Sequence, residues 1–202
     1  AAPVVHAGTS GTTLAPAGTC TITVFFKPVA AGAQNANLSV ASSAPTTTAG
    51  LTGTGVSPAT ITLAPTTVNF GNVLIAATST QGITVTNTGG SAATITSITT
   101  ALPFSQTNNC PVSLGVNVSC TISLTATPTA LGLATGSVVV ADNAPGNPHS
   151  AALSVTGVAP AASLTPASFN FGNQPVGTQS AFTSFAFNNT GTGSMTISSV
   201  GT

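Results

Sequence analysis

Apolar residues alternate with small polar ones at a period of two along most of this chain, the pattern of antiparallel strands with one face buried and one in water. Cys120, Ile122 and Leu124 fall on one face, and Ser119, Thr121, Ser123 and Thr125 on the other. The alternation predicts strands over 59–63, 66–70, 79–87, 93–98, 119–126, 134–141 and 150–156, separated by Gly, Pro and Asn turn signals. An earlier stretch, Cys20, Ile22, Val24 and Phe26, alternates in the same way and is predicted to point these residues inward. Asp142-Asn143-Ala144-Pro145-Gly146-Asn147 predicts a hairpin loop, matched earlier by Ser42-Ser43-Ala44-Pro45. No segment carries a 3.6-residue apolar period, and Thr, Val, Ser and Gly outnumber the good helix formers.

The pattern also repeats. Asn69-Phe70-Gly71-Asn72 returns as Asn170-Phe171-Gly172-Asn173, and Cys20-Thr21-Ile22-Thr23-Val24 returns as Cys120-Thr121-Ile122-Ser123-Leu124. The period is about a hundred residues, enough for one modest core. In this register Thr202 lines up with Thr100, and Ala1 with Ala101. The chain therefore divides into a C-terminal half-repeat at 1–56, a whole repeat at 57–158 and an N-terminal half-repeat at 159–202. Seven short alternating strands per repeat predict an all-β fold of tandem immunoglobulin-like β-sandwiches, cut mid-domain at both ends. A half-domain cannot close its own core, so more polypeptide or another copy is expected to complete it.

Charge is almost absent, with Lys27 and Asp142 the only ionised side chains. Such a chain offers no electrostatic footprint for a phosphate backbone or an anionic surface, so no nucleic-acid partner is expected. The outward faces are made polar by hydroxyls. Without charges to block edge-to-edge pairing, the chain is expected to live in an assembly, with itself as partner. Asn37, Asn117 and Asn188 begin triplets that accept N-linked glycans, although in a chain so rich in Asn, Ser and Thr such triplets also arise by chance. No apolar run is long enough to span a membrane as a helix.

Candidate chemistry is sparse. Cys110 and Cys120 read first as a disulfide closing a short loop, with two reduced thiols or half of a metal site as the alternatives. Cys20 matches Cys120, but Ser10 stands where Cys110 would be, leaving Cys20 as a core residue, a free thiol or an intermolecular bridge. His6 and His149 have no Cys, Asp or Glu beside them in sequence, and structural or solvent-exposed roles are expected for both. No catalytic, cofactor-binding or metal-binding motif occurs, so neither an enzyme nor a cofactor is expected. Most of the Phe residues fit a sandwich core. Phe182, Phe185 and Phe187 lie in the half-repeat whose closing strands are absent, and they form a candidate assembly patch.

An ordered set of short motifs runs through the chain. It comprises Leu164-Thr165-Pro166, Asn170 to Asn173, Val176-Gly177-Thr178, Asn189-Thr190-Gly191, Cys110 to Cys120, Pro28 to Gly32 and Gly53-Thr54-Gly55. This succession resembles bacterial secreted repeats of the ASH (ASPM, SPD-2, Hydin) type and the similar repeats of choice-of-anchor D proteins. The resemblance implies an immunoglobulin-like β-sandwich used as a spacer or interaction module, with no catalytic residues to carry over. Asn69 and Asn170 replace the Asp often seen before Phe-Gly in such repeats.

These readings converge on a structural subunit of an extracellular filament or surface fibre, assembled head to tail by completing half-domains. The alternatives are stalk repeats of a large cell-surface adhesin, or a secreted glycan-binding module, the latter weakened by the absence of Trp and Tyr. With so little to titrate, the fold is expected to survive from about pH 3 to about pH 9 at moderate temperature. Circular dichroism across that range checks this, and loss of the β-signal within it would count against the reading.

Overall fold

The structure is a computed structural model that describes residues 4–7 and 13–201, and it contains strands without helices among them. Nine strands build the central repeat: β5 (Ile61–Ala64), β6 (Thr67–Leu74), β7 (Ser79–Asn87), β8 (Ala93–Thr99), β9 (Phe104–Asn108), β10 (Ser113–Leu114), β11 (Ser119–Ala126), β12 (Gly132–Asp142) and β13 (His149–Val158). They follow four strands upstream, β1 (Val4–Ala7), β2 (Thr23–Phe26), β3 (Gly32–Val40) and β4 (Thr47–Gly55). Two more lie downstream, β14 (Ala162–Thr165) and β15 (Ala186–Asn189).

The central strands form two sheets, one ordered β10-β8-β12-β13-β6 and the other β5-β7-β11-β9. All the pairings are antiparallel except β13 with β6. The period-two alternation does what it predicts: on β11 the even-numbered residues from Cys120 to Ala126 are buried, and the intervening hydroxyl residues face outward. Ile83, Val85, Ile122 and Leu124 from one sheet meet Val138 and Val155 from the other. Every buried apolar side chain of this core lies between Ala59 and Val158.

Two strands escape the sequence pattern. In β9 only Phe104 is buried, so Ser105 to Asn108 reads as a polar loop. The strand exists because β11 offers it a full edge, from Ile122↔Asn108 to Ala126↔Phe104. Two-residue β10 is too short to carry any period. Upstream, the predicted strand from Cys20 begins only at Thr23, where pairing with β1 starts.

Two devices lock the sandwich. The Cys110–Cys120 disulfide ties the loop after β9 to the start of β11. Asn87, fully buried at the end of β7, fastens three segments together. Its Oδ1 accepts from the N–H groups of Thr60 and Gly89 at 3.2 and 3.0 Å. Its Nδ2 donates to the carbonyls of Ser91, Leu114 and Gly115 at 2.8, 3.0 and 3.3 Å. Its backbone adds two more bonds, donating to Val118 and accepting from Asn117 at 3.1 and 2.8 Å. A buried amide with its donors and acceptors satisfied is stabilising, and removing it strands all of those partners at once.

Replacing Asn87 by Leu is accordingly expected to destabilise the central repeat by about 3 kcal/mol. Replacing both Cys110 and Cys120 by Ser is expected to cost about 2 to 3 kcal/mol through the freed loop of the unfolded chain. Urea unfolding followed by far-ultraviolet circular dichroism measures both, and losses below about 1 kcal/mol would refute these roles.

Candidate assembly interface

Flanking segments repeat the central geometry in part. The β14–β15 pair matches β5–β7: Ala162↔Asn189 corresponds to Ile61↔Asn87. The β3–β4 hairpin matches β12–β13, running from Gly32↔Gly55 as the latter runs from Gly132↔Gly157. The β1–β2 pair matches β9–β11, with Val4↔Phe26 corresponding to Phe104↔Ala126. Local turns are also reproduced. The Asn69 and Asn170 Oδ1 atoms each accept a 2.8 Å bond from the N–H of Gly71 and Gly172, and both glycines hold a left-handed φ, 70° and 69°. Each Asn thus closes its own turn through the side-chain oxygen, a role an Asp carboxylate could fill equally.

What differs is cover. Phe185 and Phe187 stand where Ile83 and Val85 stand in the whole repeat, yet they are 43% and 48% exposed against 1% and 0%. Leu164, Phe171 and Ile197 are likewise exposed, at the places of buried Leu63, Phe70 and Ile95. Phe169 and Phe171 pack edge to face, with ring centroids 4.9 Å apart. The stretch matching β6 is not a strand here, because among the described residues nothing occupies the place of β13 beside it.

The upstream segment presents a second open face. Val24, Phe26, Ala36, Leu51 and Gly53 line an open concavity of about 410 Å³. Phe26 lies over Gly53, where any Cβ would collide with its ring. In the whole repeat the same two places hold Ala126 and Val155, so a large–small pair has been exchanged for a small–large one.

The predicted site residues fall unevenly on these surfaces. Phe185 and Phe187 belong to the exposed core face. Phe182 does not: it sits at the place of outward-facing Thr80, outside any strand, and is 92% exposed. Phe169, Phe171, Leu164 and Ile197 were the residues to add, and aligning them with the buried positions of the whole repeat would have found them. Cys20 is an exposed free cysteine, which corrects the inward placement expected from its alternation with Ile22 and Val24. A strand period assigns a face, but only an opposing sheet buries it. Asn37, Asn117 and Asn188 are all exposed, Asn117 in a turn with φ 59°. Ser10 and the side chain of His6 lie outside the described residues.

One contact has no signal in the linear sequence. The hairpin between β12 and β13 brings His149 back to Asp142, with His149 Nδ1 2.9 Å from Asp142 Oδ2. Asp142 is buried, and its Oδ1 also accepts from the N–H of Ala144 at 2.7 Å. Asn147 Oδ1 in turn accepts from the Asp142 N–H at 2.8 Å, so the chain's one carboxylate organises a loop. Among the described residues no group of three or more His, Cys, Asp or Glu side chains could hold a metal ion. Among the described residues no helix is long and apolar enough to cross a membrane.

Comparison with known proteins gives one family match and several distant structural likenesses. No curated protein matches the sequence. A Porphyromonas gingivalis W83 protein of unknown function is similar in structure, at 13% identity over 64% of this chain and 68% of its own, with a TM-score of 0.45. The Vibrio cholerae VesB protease matches at 18% identity, covering 48% of this chain and 31% of the protease, with a TM-score of 0.40. The ASH/PapD-like domain 7 of human CEP192 matches at 14% identity over 48% of this chain and 82% of that domain, with a TM-score of 0.37. The profile of HYDIN/CFA65/VesB-like Ig-like domains matches residues 59–158, the span that holds both sheets and their core. The nine-stranded repeat, closed by Asn87 and the disulfide, is thus a HYDIN/CFA65/VesB-like Ig-like domain over residues 59–158.

Proposed function

We propose that this chain is a structural repeat unit of an extracellular filament or surface fibre, in which residues 159–202 of one unit and residues 1–56 of the next complete a sandwich. The single observation that carries the reading is the exposure of Phe185 and Phe187 at places that are fully buried in the whole repeat. A contiguous apolar sheet face is costly to leave in water, and association removes it. Further support comes from the two surfaces being the two missing complements of one domain type. Among the described residues β15 lacks a neighbour in the place of β11, and β2 lacks one in the place of β7. Strand addition of this kind satisfies backbone groups along both edges while burying the apolar face. Head-to-tail contacts between unlike surfaces generate open linear arrays.

The disulfide suits an oxidising compartment outside the cytosol. A surface dominated by hydroxyls, with Asp142 buried and Lys27 the single cation, suits a packed array, where charge repulsion between neighbours would be a penalty. No catalytic role is assigned.

The purified 202-residue chain is expected to form linear polymers visible by negative-stain electron microscopy. Phe185→Ser combined with Phe187→Ser is expected to weaken association about a hundredfold, since two large core side chains are lost from the joint. Phe182→Ser is expected to leave it near the parent value. A chain that sediments as a monomer at all concentrations would sink the proposal. The denatured, reduced mass of the native material separates polymer from stalk: a mass many times that of this chain makes the same joints internal to one adhesin-like polypeptide.

A further inference from the structure

Asn189 occupies the place of Asn87, and its local bonds are already made. Its Oδ1 accepts from the N–H groups of Ala161 and Gly191 at 3.2 and 3.0 Å, as Asn87 accepts from Thr60 and Gly89. Its Nδ2 donates to the Gly193 carbonyl at 2.7 Å, as Asn87 donates to Ser91. The difference lies in the remaining bonds. Asn87 also holds Leu114, Gly115, Asn117 and Val118, whereas Asn189 is exposed and no described residue fills those places.

The missing turn exists elsewhere in the same chain. Leu14-Ala15-Pro16-Ala17-Gly18 precedes Cys20 as Leu114-Gly115-Val116-Asn117-Val118 precedes Cys120. Its backbone is preformed in the same shape. Gly18 N–H donates to the Ala15 carbonyl at 2.8 Å, as Val118 donates to Gly115 at 3.2 Å. Ala17 holds φ 63° where Asn117 holds φ 59°. An alanine in the left-handed region is uncommon, and here it keeps the turn in the shape that Asn87 grips in the whole repeat. Leu14 is 53% exposed, while Leu114 beneath Asn87 is 0% exposed.

We infer that Asn189 fixes the register of the joint by gripping the Leu14–Gly18 turn of a second copy of this chain. Its Nδ2 donates to the Leu14 and Ala15 carbonyls, its N–H donates to Gly18 and its carbonyl accepts from Ala17. This rests on the head-to-tail reading above and adds what that reading leaves open, which strand position meets which. A hydrophobic face alone tolerates a slip of two residues along a strand, because the pleat repeats every two. A buried amide does not, since a slip would leave its donors and acceptors unpaired. In the register so fixed, Phe187 lies directly across from Cys20, as Val85 lies across from Cys120. Assembly then buries the free thiol, which makes Cys20 a reporter of correct joining.

The test compares the parent chain with Asn189→Asp, which keeps the accepting oxygens and removes the donors, and with Ala17→Val, which the left-handed turn rejects. Sedimentation gives the association constant, and iodoacetamide labelling gives the exposure of Cys20. The parent is expected to assemble with Cys20 protected. Each variant is expected to associate about tenfold or more weakly, and the double variant no more weakly than the worse single one, because both break the same contact. Ala17 lies in the opposite half, so its effect cannot come from misfolding around Asn189. Failure of the parent to assemble, or assembly with Cys20 still reactive, would overturn both this inference and the head-to-tail reading. Assembly of both variants at parent strength with Cys20 protected would overturn the register inference alone.

Discussion

A β-sheet of alternating residues has an apolar face only another layer can bury, and every feature of this chain follows from where that second layer is present. Between Ala59 and Val158 it is present, and the alternation resolves into two sheets around one core. On either side the same alternation, turns and hairpin registers continue without cover. Identical local instructions thus give a closed domain in one place and uncovered strand pairs on either side of it. Local propensity writes strands; closure is a property of the number of layers.

Charge scarcity acts on the same constraint from outside. Most soluble sandwiches guard their edges with lysines and inward-pointing charges. Here Lys27 is the single cation, and Asp142 is spent inside a hairpin loop, bonded to His149 and Ala144. Neither guards an edge of the core sheets. Edges at β15 and β2 are therefore chemically competent for pairing, and selectivity must come from shape and hydrogen bonding. The large–small exchange between Phe26–Gly53 and Ala126–Val155 shows that the two domain versions are not packed alike. Bulk at Phe185 and Phe187, in place of Ile83 and Val85, asks for room on the opposing sheet. In the proposed joint that difference in packing would disfavour exchange between residues 159–202 and the closed repeat of the same chain, a hazard for any protein with internal repeats.

The architecture was largely legible because its signals are periodic. Alternation located seven strands of the central repeat, and the recurrence of Asn-Phe-Gly-Asn and Cys-Thr-Ile set the repeat length. Legibility ended where strands lean on neighbours. β9 is held by the edge of β11, and its own residues after Phe104 carry no apolar signal. Cys20 was misplaced for the converse reason: its sequence pattern is that of a buried strand, but burial is supplied by partners. The pairing of Asp142 with His149 depends on how a hairpin loop folds back, which no short motif encodes. Phe185 and Phe187 were recognisable because they sit in a strand-like alternation, and Phe182 was not distinguishable from them without the outward position of Thr80.

Asn87 is the residue whose role was hardest to see in advance and which explains most afterwards. Asn87 closes the predicted strand 79–87 at the start of an Asn-Thr-Gly turn, and nothing in that short stretch signals the bonds it makes to distant segments. In the fold the turn folds over the end of the sandwich, so the amide is driven inward and becomes the point where β7, the Ser57–Ile61 approach and the Leu114–Val118 turn converge. A group that joins segments distant in sequence can do so equally well when those segments belong to different copies. The exposed twin at Asn189 retains its local bonds without the distant ones, so its orientation is set before any partner arrives. Preorganisation of that kind lowers the ordering cost of association. In the proposed joint Asn189 would supply a directional contact, where the surrounding phenylalanines supply only area.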